Sequence, residues 1–326
     1  MRTKDFVERL FTFIAYSIVF IAVIVTLLPL IYVLNASFSD PYYVSRGDIL
    51  LYPKGFYLES YKTIFAEKEV WQAYYNTILY TFFGTFLNLT FTMLAAYPLT
   101  RRKFFARSFF SFFFLFTMFF SGGLIPLYLI VVKLGMYNTR WAMIIPPLIS
   151  VWNLIICRTY IQTSIPEELI ECAKIEGCSE FRILRAIIVP LSKPIIATLI
   201  IFYGVNHWNS YFNALVFLRN ERLQPLQLYL RKVLMASSPD LLQSYAVRLD
   251  EVSTRMQLLF TQIKFSMIIV SILPILLIYP FFQKYFVKGM LIGYHNTIFH
   301  ICAKISRLRC GNEVKLDSIA GSDLYI

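Results

Sequence analysis

The stretch that decides the fold runs from residue 167 to 190 and reads EELIECAKIEGCSEFRILRAIIVP. It alternates acids and bases like a soluble helix pair, yet the uncharged runs Trp141–Cys157 and Pro194–Leu218 flank it. Ser164 and Glu167 stand in the S-x-x-E relation of a capping box, which predicts a helix starting at Ser164 with Pro166 in its first turn. Glu167, Glu168 and Glu171 crowd the N-terminal end, where negative charge suits the helix dipole. Gly177 falls where a chain leaving a helix turns through positive φ, and Ser179 is placed to cap a second short helix ended by Pro190. The pattern predicts two small helices joined at a glycine elbow. Leu169, Ala173 and Ile175 are apolar, and a unit this small is expected to leave them for a groove on another protein. A helix resting on lipid is the other option, but its polar face would then be rich in Lys and Arg rather than acids.

The rest of the chain is membrane-like. Of 326 residues, 58% are hydrophobic and 15% charged, well below the roughly quarter charged of soluble domains. The mean hydropathy is +0.61. Uncharged runs cover Leu10–Ser39, Val70–Thr100, Ser108–Val132, Trp141–Cys157, Pro194–Leu218 and Phe265–Gln283. A span needs about 20 apolar residues, so the reading is six spans, with Trp141–Cys157 at the lower limit. The first run is too long for a signal-peptide core and is read as a retained span. Ser121–Pro126, SGGLIP, predicts a break inside the third run.

The net charge of +12 reads as topology. With the N-terminus inside, the segments facing the cytoplasm carry 18 Lys and Arg and the external ones 12. The short loop RRKFFAR at 101–107 has four cations and no acid, the pattern that fixes cytoplasmic loops. Nucleic acid is therefore not expected as a partner. The five cysteines all fall on or near the cytoplasmic side, where reduced thiols are expected. None has metal-site spacing, so no metal is expected.

The hairpin residues resemble the hallmark of permease subunits of ATP-binding-cassette importers, E-A-A-x3-G-x9-I-x-L-P. The chain supplies Glu171, Cys172, Ala173, Gly177, Ile187 and Pro190, departing with Cys172 for alanine and Val189 for leucine. The resemblance covers residues 10–293. Within the superfamily the chain is similar to binding-protein-dependent sugar permeases, particularly the MalG-like half, on NTILYTFFGTFLNLTFTMLAAYPLTR, WNSYFNALVFL and YPFFQKYFVKGMLIG. The version FSGGLIPLYLI is most like LplC-type permeases for oligosaccharides such as aldouronates. This resemblance implies an all-α membrane protein of the type I importer permease fold, with six transmembrane helices and a coupling-helix hairpin (164–193) between spans four and five. It also implies a second permease subunit, two copies of a cytoplasmic ATPase subunit and an extracellular solute-binding protein. ATP would be bound by the partner, with no cofactor in this chain. The setting implied is a bacterial plasma membrane, with membrane lipid around the spans and both termini cytoplasmic.

Asn206, Asn209 and Asn213 recur at i, i+3 and i+7 and would share one helical face, with Trp208 and Tyr211 on the same turns. Amides and aromatics suit a sugar path, while the same amides also suit interhelical hydrogen bonds. His207 is read as a packing contact. A secondary transporter would be expected to carry Asp or Glu inside a span, and none of the uncharged runs contains one. A peptide permease would keep the hairpin but not the sugar-like segments. No G-x-x-x-x-G-K-[ST] phosphate loop occurs, and only three histidines are present, so neither ATP hydrolysis nor other enzyme activity is expected here. Residues 1–9 are a basic entry, and 294–326 a polar extension longer than such chains usually carry, expected to be poorly ordered.

Overall fold

The computed structural model describes residues 2–236 and 252–289; the 294–326 extension lies outside them. The described residues are helical, with no strand among them and a single isolated bridge between Ser39 and Phe56. The chain divides into two compact units, one formed by Met1–Leu79 and Trp208–Ile278, the other built on Tyr80–His207.

In the first unit, helix Arg2–Phe38 carries no charged residue from Leu10 onward and is apolar on every side there. None of the most apolar stretch of Glu8–Phe38 is covered by the rest of the chain. Phe11, Tyr16 and Phe20 stand out from it, which water would not tolerate and hydrocarbon does. Beyond it a polar knot ties the loop 40–58 to the last helix, Val252–Gly289. The Gln262 amide donates to the carbonyls of Ser39 (2.7 Å) and Tyr57 (3.2 Å). The hydroxyls of Ser60 and Ser266 pair at 2.8 Å, and Tyr61 donates to Ser37 at 2.8 Å. Asp40 caps the short helix Pro41–Arg46 through the Tyr42 N–H, and Gly47 ends it in the left-handed conformation.

The second unit is assembled on the end of helix Lys68–Thr100. Its core joins Met93, Ala96, Tyr97 and Leu99 to Leu154, Ile161, Ile170, Ala173, Ile183, Ile188, Ile195 and Leu199. The third uncharged run breaks where SGGLIP predicted. Arg107–Phe119 and Leu124–Lys133 meet at 114°, with Gly123 at φ +83° between them.

The six-span reading is not reproduced by helix length. Among the described residues three helices are long and apolar enough to cross, Glu8–Phe38, Lys68–Thr100 and Phe260–Ile278, or five if each bent pair is one span. The fourth run splits into Trp141–Ile144 and Val151–Ser164, because Pro146 and Pro147 remove two successive donors. The fifth also falls short. Its helix Lys193–Trp208 has 16 residues, about 24 Å at 1.5 Å per residue against a hydrocarbon core of about 30 Å. It passes only together with Glu180–Leu191, across an 83° bend.

The freed backbone of the fourth run is satisfied inside the protein. The Asn88 amide donates to the Pro147 carbonyl at 3.0 Å. Tyr203 Oη accepts from the Ser150 N–H at 3.3 Å and pairs with the Thr92 hydroxyl at 2.7 Å. Irregular backbone survives at membrane depth only under such cover. Cys157 and Cys172 are free.

Two glycines facing this seam should behave oppositely. A Cβ on Gly84 would meet the His207 ring at 2.4 Å, whereas one on Gly204 finds its nearest neighbour, Thr85 Oγ1, at 3.8 Å. Gly84→Ala should lower stability by about 1–3 kcal/mol through overpacking. Gly204→Ala should be neutral or slightly stabilising, since alanine is the better helix former. Thermal unfolding of the detergent-solubilised variants compares the two, and equal melting would contradict the packing at His207.

Candidate functional site

The charged stretch folds as a hairpin, but its first helix begins later than the capping box implied. Ser164 is the last residue of helix Val151–Ser164 and caps nothing. Ile165 is extended, as the residue before a proline tends to be, and Pro166 is the cap residue of helix Glu167–Ile175. The helix ends in a Schellman turn. Gly177 N–H donates to Lys174 O and Cys178 N–H to Ala173 O, both at 3.0 Å, with Gly177 at φ +79°. A Cβ at Gly177 would meet nothing within 4 Å, so glycine is favoured here by backbone conformation alone.

Ser179 Oγ then accepts from the Arg182 N–H, starting Glu180–Ile183. Pro190 does not end this second helix. It continues through a π turn at Leu184–Ile188 into Val189–Leu191 and breaks at Ser192. The wider π turn has a physical cause, because a proline ring clashes with the carbonyl four residues earlier and offers it no N–H.

The apolar face of the hairpin is largely covered by the chain itself, which corrects the expectation that it needs a partner's groove. Leu169 (2% exposed) and Ala173 (0%) are buried. Ile170 and Ala173 join the core with Met93, Leu99, Ile161 and Ile183. The unit was too small to bury them only when considered alone; the ends of Lys68–Thr100 and Val151–Ser164 supply its floor. Ile175 stays out at 86%, with Phe181 at 66%. Glu171 is exposed, Cys172 and Pro190 are half-buried, and Ile187 is buried. The outward surface is therefore two apolar side chains amid acids and bases.

Polar ties hold the hairpin in place. Glu180 Oε2 accepts from the Tyr97 hydroxyl at 2.6 Å, and its Oε1 lies 2.5 Å from Lys174 Nζ. Burial opposes the charged form of Glu180, but Lys174, the Tyr97 hydroxyl and the field of Arg101 outweigh it and hold its pKa below the ordinary value. A carboxylate with a depressed folded-state pKa contributes above its unfolded pKa and loses that contribution only as the pH falls through the folded one. Arg102 and Glu167 approach at 3.7 Å with both side chains largely in solvent.

The other five candidates do not share one helix. Lys193–Trp208 stops at Trp208 and a new helix, Tyr211–Phe217, starts after Ser210, which interrupts the i, i+3, i+7 face. Asn206 is exposed near the end of the first helix; Asn209 and Tyr211 are exposed and Asn213 half-exposed. Trp208 is buried in its own unit, where its indole N–H donates to Ser271 O at 3.0 Å and its ring meets Tyr74 edge-on at 6.5 Å. It packs rather than offers a stacking face. Tyr211 lies under Arg231, 5.4 Å from the ring centroid. The polar row Thr81, Thr85, Asn88 and Thr92 was missed as a feature. Its spacing of three and four in an apolar helix is the signal that could have found it.

A family model described as the binding-protein-dependent transport system inner membrane component matches residues 88–292. Protein LplC of Bacillus subtilis (strain 168) is 40% identical over 274 residues, 82% of this chain and 89% of that protein. The polygalacturonan/rhamnogalacturonan transport system permease protein YtcP of the same organism is 36% identical over 286 residues, 88% of this chain and 98% of its own. A crystal structure of a bacterial ABC transporter involved in the import of the acidic polysaccharide alginate contains a chain matched with a TM-score of 0.76 and 32% identity. The match covers 86% of this chain and 97% of that one.

The elbow yields a test. Gly177→Ala places an L-residue in the left-handed region and should cost about 1–2 kcal/mol, with Gly177→Asn milder because asparagine visits that region. Limited proteolysis of the hairpin in membranes reads the effect as faster cleavage for alanine than for asparagine. Equal protection would mean that the turn is not held as described.

Proposed function

The chain belongs to the family of inner-membrane components of binding-protein-dependent transport systems, and from that premise we propose that it is a permease subunit of an ATP-driven oligosaccharide importer. The observation that carries this reading is the hairpin, with its inner face sunk into the chain's own core and Ile175 and Phe181 left outside. A rigid body with an apolar tip suits docking into a groove on a second protein. ATP-driven closure of a pair of ATPase subunits has to move membrane helices, and Glu171, Cys172, Ala173, Gly177, Ile187 and Pro190 form the lever that does so. The chain makes no covalent change to its cargo, and ATP is held by the partner.

The permease crosses the membrane six times, the fourth through the broken pair Trp141–Ile144 and Val151–Ser164. Its termini face the cytoplasm of a bacterial cell, following the cationic loop 101–107. A second permease completes the path, and an external binding protein delivers the cargo. Asn206, Asn209, Tyr211 and Asn213 are the path residues of this reading, with Trp208 anchoring the start of their segment. Oligosaccharide as the cargo class is supported by the relatives. One is named for polygalacturonan and rhamnogalacturonan, another, AraQ of Halalkalibacterium halodurans at 29% identity, for arabinooligosaccharides. Acidic sugars are the first to try, since the solved relative takes part in alginate import.

A charge at the tip should break docking without disturbing the core. Ile175→Asp in the full-length tagged chain should still insert, yet lose the co-purifying ATPase by about tenfold or more. An interface anchor is worth upward of about 1.4 kcal/mol, which is a factor of ten. The same preparation from wild type should contain a second permease. An ATPase retained at wild-type level by Ile175→Asp would remove the tip from the docking surface.

A further inference from the structure

We propose that Glu180 is a positioning residue that pins the hairpin to the end of helix Lys68–Thr100, so that the two move as one body; this rests on reading the hairpin as the coupling element. The carboxylate meets three elements at once. One oxygen accepts from Tyr97 Oη at 2.6 Å, on the last turn of Lys68–Thr100. The other pairs with Lys174 Nζ at 2.5 Å, on the first hairpin helix, while Glu180 itself opens the second. The Lys174–Glu180 bridge therefore spans the Gly177 elbow and fixes the angle between the hairpin helices. The Tyr97 bond fixes that pair to the membrane helix. Arg101 lies 5.0 Å from the Tyr97 ring centroid, so the tyrosine is itself held on its face.

The apolar floor cannot supply this alone. Contacts of Met93, Ala96 and Leu99 with Ile170, Ala173 and Ile183 resist separation, but burial is non-directional and permits sliding. Hydrogen bonds have distance and angle preferences, and those to a charged group are roughly twice as strong as neutral ones. The other polar tie, Arg102 to Glu167, has side chains 81% and 50% exposed at 3.7 Å and is of the kind that contributes little. Among the described ties between the helix end and the hairpin, the Glu180–Tyr97 bond is the one with short geometry and a buried partner. Glu180 is itself 56% and Lys174 36% exposed, so the directional hold rests on the tyrosine bond.

The test is a distance measured in the complete transporter. Spin labels replace Leu94 on the membrane helix and Glu168 on the hairpin, in a chain whose native cysteines are substituted. In the wild-type background the label distance should be the same without nucleotide and with ATP and vanadate. Glu180→Gln should shift it on nucleotide binding and broaden it. Tyr97→Phe, which removes one hydroxyl and leaves the core intact, should do the same, and the double variant should add nothing further. The exchange Lys174→Glu with Glu180→Lys, which keeps a bridge across the elbow but removes the acceptor of the Tyr97 hydroxyl, should leave the distance as broad as Tyr97→Phe does. A Glu180→Gln or Tyr97→Phe distance that stays as sharp and as fixed as wild type overturns the pin. So does a wild-type distance that shifts as much as the variant's. The coupling reading fails separately: if Ile175→Asp keeps its ATPase, that reading is lost whatever these distances show.

Discussion

Ala173 has no exposed surface, and the packing it permits is what the hairpin end of the second unit depends on. A helix of nine residues has too few hydrogen bonds to stand alone in water. Its stability must come from packing one face. The small side chain at 173 shares one core with Met93, Ala96 and Ile161, and Leu169 and Ile170 on the same helix are buried with it. With that face fixed, the Schellman turn at Gly177 follows from the left-handed backbone there, and Ile175 and Phe181 are left facing out. A larger residue at 173 would lift the helix from its floor and strain the Tyr97–Glu180 bond at the same time. Cys172, one position away and half-buried, faces no such limit, and cysteine stands there in place of the motif's alanine.

A second constraint governs the apolar part of the unit. Helices interrupted by prolines or glycines leave carbonyls and N–H groups that hydrocarbon cannot satisfy. The chain answers with side chains from a neighbouring helix: Asn88 serves the Pro147 carbonyl and Tyr203 the Ser150 N–H. His207 Nε2 lies 3.5 Å from Asn88 Oδ1, and Gly84 leaves room for the imidazole. Polar residues within an apolar helix thus have a structural use before any role in transport is considered. That use weakens an argument for a path from polarity alone, and Trp208, with its indole N–H bound and its ring buried, is a case in point.

Features set by the chain's local chemistry were readable in advance. The elbow at Gly177, the break at Ser121–Pro126 and the acidic first turn of the hairpin each follow from residues within a few positions of one another. Features decided by distant packing were not. Ser164 matches a capping box, but helix Val151–Ser164 runs through it because Leu154, Cys157 and Ile161 on its inner face are held in the core. Ala173 reads as an orphan apolar residue until Lys68–Thr100 is placed beneath it. The asparagines at 206, 209 and 213 have helical spacing, yet the helix ends after Trp208, where no proline or glycine marks the stop. The spacing of Asn88 and Thr92 was legible, and only their partners were hidden.

The 83° bend at Ser192 bears on how a push on the hairpin could reach the membrane helix that follows it. A bend made at one residue, next to Pro190 and Pro194, lacks the continuous i to i+4 ladder that makes a helix stiff. The Ser192 N–H does bond Ile188 O at 2.9 Å and Val189 O at 3.2 Å, but those bonds close the helix before the bend and do not bridge it. The bend is therefore compliant along the backbone. Stiffness across it has to come from side chains, and Ile187, Ile188, Ile195 and Leu199 lie in one core on its inner side. A displacement of the hairpin would reach the next helix through close-packed apolar contacts, which transmit compression because protein interiors compress little. In such an arrangement the prolines at 190 and 194 flank the turn, and the isoleucines beside it are the contacts that bridge it.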